Sequence, residues 1–314
     1  MENLVFSLNA TIPVFLMMLL GVLFHKIGWI DDGFASKMNR FVFLVPLPIL
    51  LFEEMATVDF SQIWDFKFLI FCFLTTFLSI ALAAAVSRLL REKSIRGEFI
   101  QASYRSSAAL LGIALIQNIY GSASIAPLMI IGSAPLYNVM AVVILSLSGE
   151  KKQIPHQNIW KQTIKEIAGN PIIWGILLGI LWSVSRLPMP ALLEKTVSSI
   201  GGMATPMGLM AMGASFNFQK AFGKRKPAFF ATAIKLLGFC ILFLPIAIWL
   251  GFRKEQLVAI LIMLGSATTV SSFVMARSMG HEGTLTSSVV MLTTLLSAFT
   301  ITGWLYLLRS FGLI

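Results

Sequence analysis

Apolar residues come in long runs along most of this chain, and each run ends in a short polar cluster. Crossing the hydrocarbon core of a bilayer takes about 20 apolar residues in a helix. Each run therefore predicts one membrane-crossing helix. Ten such runs fall at 6–24, 34–53, 68–87, 97–119, 124–147, 170–186, 192–214, 228–250, 256–277 and 284–308. One sizeable polar stretch interrupts them, at 148–169, and two readings of it stand: a short helix lying in the interface, or a solvated loop. No positively charged stretch precedes the first run, so that run is expected to be a mature span and not a cleaved leader. The expected class is an all-α polytopic membrane protein without a soluble domain.

The polar and special positions repeat. Pro13 and Pro171, Gly21 and Gly179, Lys37 and Lys195, and Pro48 and Pro206 share one offset. Phe60 and Phe218 keep it, as do Asp59 and Asn217, while Gly121 and Gly280 differ by one residue more. One register across both halves predicts two repeats of five spans, 1–147 and 170–314, joined by the linker 148–169. Five is odd, so the second repeat enters the membrane from the opposite side, an inverted-topology arrangement frequent among transporters.

Charge sets the expected orientation. Lysine and arginine collect on cytoplasmic loops. With the N-terminus outside, sixteen of them fall on cytoplasmic loops and six on outer ones, while Arg105 and Lys235 stay within spans. Both termini are thus expected outside a plasma (inner) membrane. The composition agrees, with 57% hydrophobic and 12% charged residues, about half the charge of a soluble domain. The net charge of +10 reads as loop lysine and arginine, not as a nucleic-acid surface, since no basic stretch is interleaved with aromatics. Cys72 and Cys240 lie inside apolar runs, and His25, His156 and His281 are far apart. Neither set suggests a disulfide, a metal or a cofactor.

Two spans carry chemistry. The fourth reads YRSSAALLGIALIQN from Tyr104 to Asn118, and the ninth reads LGSATTVSSFVMARSMG from Leu264 to Gly280. The repeat pairs Ser107 with Ser266, Gly112 with Ser271 and Ile113 with Ser272. Small polar residues near mid-bilayer have two explanations. They let helices pack closely, or they let a helix unwind because hydroxyls satisfy freed backbone groups. Two unwound helices would expose N-termini with partial positive charge, suited to a small anion.

The chain resembles the auxin efflux carrier family, which includes plant PIN carriers and bacterial organic-anion carriers. The resemblance rests on NRFVFLVPLPILLF at 39–52, APLYNVMAVVIL at 134–145, NPIIWGILLGIL at 170–181 and GGMATPMGLMAMGAS at 201–215. It implies a PIN-like fold of ten spans in two inverted repeats, similar to sodium–proton antiporters, with spans four and nine crossing at the substrate site. Spans one, two, six and seven would form a dimerising scaffold, and the other six an elevator-like moving unit for small organic anions such as malate, malonate or auxin-like acids. On this reading Ser107, Gly112, Ile113, Ala114, Ser271 and Ser272 contact substrate. Ser107 stands where the family has asparagine. Ala114, Ala267 and Ser272 stand where it has helix-breaking prolines, so any unwinding here must rest on glycine, serine and tertiary contacts.

Arg105 either helps to hold an anion or snorkels toward the cytoplasm, and a structural or gating role is slightly favoured. An intramembrane lysine is costly and usually faces the bundle interior; Lys235 is read as a proton-coupling group, a substrate counter-charge or a snorkelling side chain. Glu53 and Glu54 end the second span, where a solvated outer rim is expected. Asn138, a lone amide in span five, is expected at the substrate or one bond behind it. No P-loop, HExxH or GxSxG motif occurs, so ATP-driven transport and enzyme activity are not expected. The expected function is secondary transport of a small organic anion by a homodimer in a lipid bilayer. The rival is a transport-inactive relative serving as a membrane sensor or partner module.

Overall fold

The computed structural model describes residues 2–57, 65–108, 113–121, 123–148 and 168–314, with the backbone alone at 2–11, 113, 114 and 218. The linker 148–169 lies almost wholly outside these residues, as does Gly112. Among the described residues the structure is helical throughout. The helices are α1 (Glu2–Lys26), α2 (Asp32–Leu44), α3 (Pro46–Ala56), α4 (Phe66–Ser87), α5 (Arg96–Tyr104), α6 (Ile113–Tyr120), α7 (Ala126–Ser148), α8 (Pro171–Ser185), α9 (Ala191–Gly202), α10 (Ala204–Ala214), α11 (Phe218–Gly223), α12 (Arg225–Ala233), α13 (Phe239–Trp249), α14 (Lys254–Gly265), α15 (Val270–Ser278) and α16 (Thr284–Ser310). A π-helical turn, Ile234–Gly238, joins α12 to α13.

Among the described residues six helical stretches are long and apolar enough to cross a membrane: Asp32–Ala56, Phe66–Ser87, Ala126–Ser148, Arg225–Trp249, Lys254–Ser278 and Thr284–Ser310. Ile12–Lys26 and Pro171–Ser185 are shorter apolar helices. The second expected span is divided at Val45, where Pro46 opens α3 at a position that needs no amide hydrogen. The seventh is divided at Met203, and the fourth is two short helices, α5 and α6. Large apolar side chains such as Phe73, Phe77, Leu178, Leu181, Ile241 and Phe299 point outward. An exterior of that kind suits lipid and not water.

Packing sorts the helices into two groups. In one, α1 lies along α10 and α3 along α8, with α2 and α9 beside them. Glycine sets the spacing: Gly21 and Gly213 face the main chain of Met210 and Met18, and Gly175 and Gly179 face that of Pro48 and Phe52. A Cβ at any of these four would overlap backbone, so the helices meet main chain to main chain. In the other group, α5 packs between α4, α7 and α16, and α14 between α13 and α16.

Two carboxylates tie that second group together in matching ways. Glu98, in the first turn of α5, is buried and accepts from the Gly283 and Thr286 amides (2.9 and 3.0 Å) and from Thr286 Oγ1, at the N-terminus of α16. Glu255, in the first turn of α14, accepts from the Ile125 amide and Ser124 Oγ, both at 2.9 Å, at the N-terminus of α7. Each places a negative charge where a helix leaves its first amides unpaired.

Candidate functional site

Two helix breaks face each other at the centre of the molecule. α5 stops at Tyr104, and Arg105 is already extended (φ −67°, ψ 136°). α14 stops at Gly265, Ser266 is extended, and α15 begins only at Val270. The two extended pieces bond to each other, the Ser107 amide donating to the Ala267 carbonyl at 2.9 Å.

The side chains around the breaks explain why no proline is required there. Thr268 Oγ1 donates to the Ala102 carbonyl (2.8 Å) near the end of α5, and the Thr268 amide donates to Thr293 Oγ1 (3.0 Å). Gln101 Nε2 donates to the Ser272 carbonyl at 2.6 Å. Ser106 Oγ donates to the Met263 carbonyl, and Lys235 Nζ donates to Ser106 Oγ and, at 2.6 Å, to the Leu264 carbonyl. Backbone groups freed by unwinding thus find hydroxyl, amide or ammonium partners, as an apolar interior demands.

A cavity of about 250 Å³ opens between these breaks and the other helix group. One wall is Arg105, Ser107, Ala267–Ser271 and, from α7, Tyr137 and Asn138. The opposite wall is mostly apolar, with Leu47, Leu50 and Leu51 of α3 and Ala204 of α10, but also holds Glu54 and Thr205. The first turn of α15 lies at the cavity; the Ser272 amide bonds back to the Thr269 carbonyl (3.1 Å), and the Val270 and Ser271 amides ahead of it have no acceptor within their own helix.

Arg105 is 1% exposed. Its Nη2 donates to Asn138 Oδ1 (2.6 Å) and Ser271 Oγ (2.8 Å), its Nη1 meets Met275 Sδ, and its plane lies 5.4 Å from the Tyr137 ring centre. Its Nε finds no partner, and among the described residues no carboxylate lies within ion-pair distance of it. A guanidinium brings five N–H donors to a fixed plane; here some remain free beside an enclosed cavity.

Of the residues singled out in the sequence, Ser107, Ser271, Asn138 and Arg105 come together at this cavity. Ser272 does not line it: it is fully buried, its hydroxyl donating to the Thr269 carbonyl at 2.5 Å. Ile113 and Ala114 open α6, and Gly112 lies outside the described residues. Lys235 stands behind the breaks and not in the cavity wall. Snorkelling is corrected for both basic residues, since Arg105 and Lys235 are at most 1% exposed. The rim reading of Glu54 is corrected too: Glu54 shares the α3 face of Leu47, Leu50 and Leu51 that lines the cavity, while Glu53 lines a separate surface pocket. Thr205, Tyr137, Thr268, Thr269 and Thr294 also line it and were not singled out by sequence. Their only signal was hydroxyl content near the breaks.

Comparison with known proteins decides the family. Residues 6–305 match the family described as "Membrane transport protein". The chain belongs to that family. It is similar to an "Uncharacterized transporter" of Methanothermobacter thermautotrophicus, 23% identical over 303 residues that cover 95% of this chain and 97% of the relative. It is also similar to a "Putative malonate transporter" of Rhizobium meliloti, 23% identical over 307 residues and 95% of each chain. Since both relatives match from end to end, the membrane transport protein described here includes both helix breaks and the cavity between them within the shared region.

Proposed function

We propose that this membrane transport protein is a secondary carrier of small organic anions and that the cavity between the two breaks is its substrate site. One observation carries the reading: Arg105 is a buried guanidinium with free donors and no carboxylate partner, at the wall of a cavity sized for a small molecule. Burying a charge without a partner is costly, and an incoming carboxylate supplies the missing partner in a bidentate geometry. The amides of the α15 first turn favour the same charge. The malonate assignment of the Rhizobium meliloti relative supports a carboxylate substrate. Ser107, Ser271 and Asn138 contact or orient it, and Gly112, Ile113 and Ala114 are further candidate contacts on this reading.

The finer architecture belongs to the same reading: ten spans in two inverted repeats, an elevator movement of the second helix group against the first, both termini outside a plasma membrane, and a homodimer. The paired caps of Glu98 and Glu255 and the paired contacts of α1 with α10 and α8 with α3 support the repeat. The sensor alternative rests on the missing prolines, and breaks held by hydroxyls support the carrier reading over it. Uptake by proteoliposomes of labelled malonate and of a monocarboxylate tests the reading. Saturable uptake lost in Arg105→Ala is expected; no uptake or binding of any carboxylate by folded protein rejects it.

A further inference from the structure

Glu54 brings a second charge into the cavity that Arg105 serves. Its recorded hydrogen bond, from Thr57 Oγ1 at 3.4 Å, goes to its backbone carbonyl. Among the described residues its carboxylate accepts no hydrogen bond and forms no ion pair within 4 Å. The groups it feels are Arg105 across the cavity and Glu53 beside it, and Tyr137 in turn feels Glu54.

The elements packed against α3 bring no other charge to it. α2 keeps Asp32, Lys37 and Arg40 exposed. α8 and α10 carry no ionisable side chain. α9 places Glu194 in a separate surface pocket with Glu53, and Lys195 is exposed. The cavity therefore holds one free guanidinium and one free carboxylate, on opposite walls.

An anion drawn to Arg105 must share about 250 Å³ with the Glu54 carboxylate. Two carboxylates confined to one site do not both stay ionised, and one of them holds a proton. Resting on the anion-carrier reading above, we infer that Glu54 is the proton acceptor of this cavity, so that one anion and one proton are bound and released together. In the empty cavity Glu54 and Arg105 face each other beyond ion-pair distance. When an anion enters, a proton from the aqueous side bonds to a Glu54 carboxylate oxygen, and the neutral acid can then donate a hydrogen bond to the guest. When the anion leaves, that proton returns to water. No other bond forms or breaks.

Calorimetric titration of the full chain in lipid nanodiscs tests this. The probes are pyruvate and malonate, over about pH 5.5 to 8.5, where pyruvate stays ionised. Titrations run in buffers of different ionisation enthalpy, so that proton uptake is counted directly. Toward the alkaline end of that range wild type is expected to take up close to one proton per pyruvate, and its affinity to rise as pH falls, by at most about tenfold per unit. Glu54→Gln should bind pyruvate with no proton uptake and no pH slope, while Glu54→Asp should keep both. The aspartate variant supplies the answer if the glutamine variant fails to fold. Pyruvate binding to wild type without proton uptake, or an unchanged slope in Glu54→Gln, overturns the role of Glu54 and leaves the anion-carrier reading standing. Binding of neither probe to folded wild type overturns both.

Discussion

The amide of Ser107 and the carbonyl of Ala267, 2.9 Å apart, join two helix breaks that lie far apart in the chain. That bond joins the breaks directly, and side chains hold the backbone groups on either side of it. The arrangement has a defined set of supports, and removing any one should have a defined cost.

Thr268 is the clearest support, because it bonds with both its hydroxyl and its amide. Thr268→Val keeps the shape and leaves the Ala102 carbonyl without its hydroxyl. A stability loss of about 1–3 kcal/mol is expected, read as a lower thermal midpoint in detergent. An unchanged midpoint would mean that water or another group fills the place.

Arg105→Ala removes the charge at the cavity and also strands Asn138 Oδ1, while Ser271 Oγ keeps its bond to Thr269 Oγ1. Loss of one partner of a desolvated charge pair costs about 2–5 kcal/mol, so carboxylate affinity should fall more than tenfold. Arg105→Lys should recover only part of it, because an ammonium lacks the planar fork. Equal affinities in wild type and both variants would remove Arg105 from the site.

Lys235 should behave differently. Its ammonium holds the Leu264 carbonyl and Ser106 and does not line the cavity. Lys235→Met is expected to lower the thermal midpoint and to weaken monocarboxylate and dicarboxylate binding by the same factor. A loss confined to the dicarboxylate would put the lysine charge in contact with substrate after all.

At the end of the bundle near α11, Glu282 sits between Lys220 at 2.9 Å and Lys224. Hydrogen bonds from Lys220 and then Lys224 pull its carboxyl down from 4.5 to about 2, against a smaller opposing effect of burial. A carboxylate lowered on folding stabilises above its unfolded value and loses that contribution as acid carries the pH down through its folded one. Stability should therefore fall between about pH 4.5 and 2, and Glu282→Gln should flatten that part of the curve. Thermal midpoints across that window check it, and the same acid slope in the variant would contradict it.

The helical, membrane-bound architecture was legible because an apolar run of span length has one common solution in lipid. The place of the breaks was also legible, since Ser106, Ser107, Ser266 and Ser271 are unusual company for mid-bilayer residues. Absent prolines made the unwinding itself hard to read. Its supports are Thr268 reaching Ala102 and Lys235 reaching Leu264, contacts between residues distant in sequence. Glu54 was misread for a related reason. A carboxylate at a span's end suggests a wet rim, and only the packing of α3 shows that Glu54 looks into the cavity. Ser272 was one residue off the mark: on a helix, neighbours one apart face different ways, so Ser271 meets the cavity while Ser272 turns back on Thr269.

The Glu98 caps have a consequence in time. Its partners at Gly283 and Thr286 are made 185 or more residues after it. At ribosomal rates of roughly 5–20 residues per second, that is a wait of about 10–40 s. Through that interval the nascent α5 carries an unsatisfied acid with nowhere apolar to go. α5 is therefore expected to stay at the membrane surface until the final helix emerges, and the segment that leads into the cavity-lining arginine would be among the last pieces to enter the bilayer.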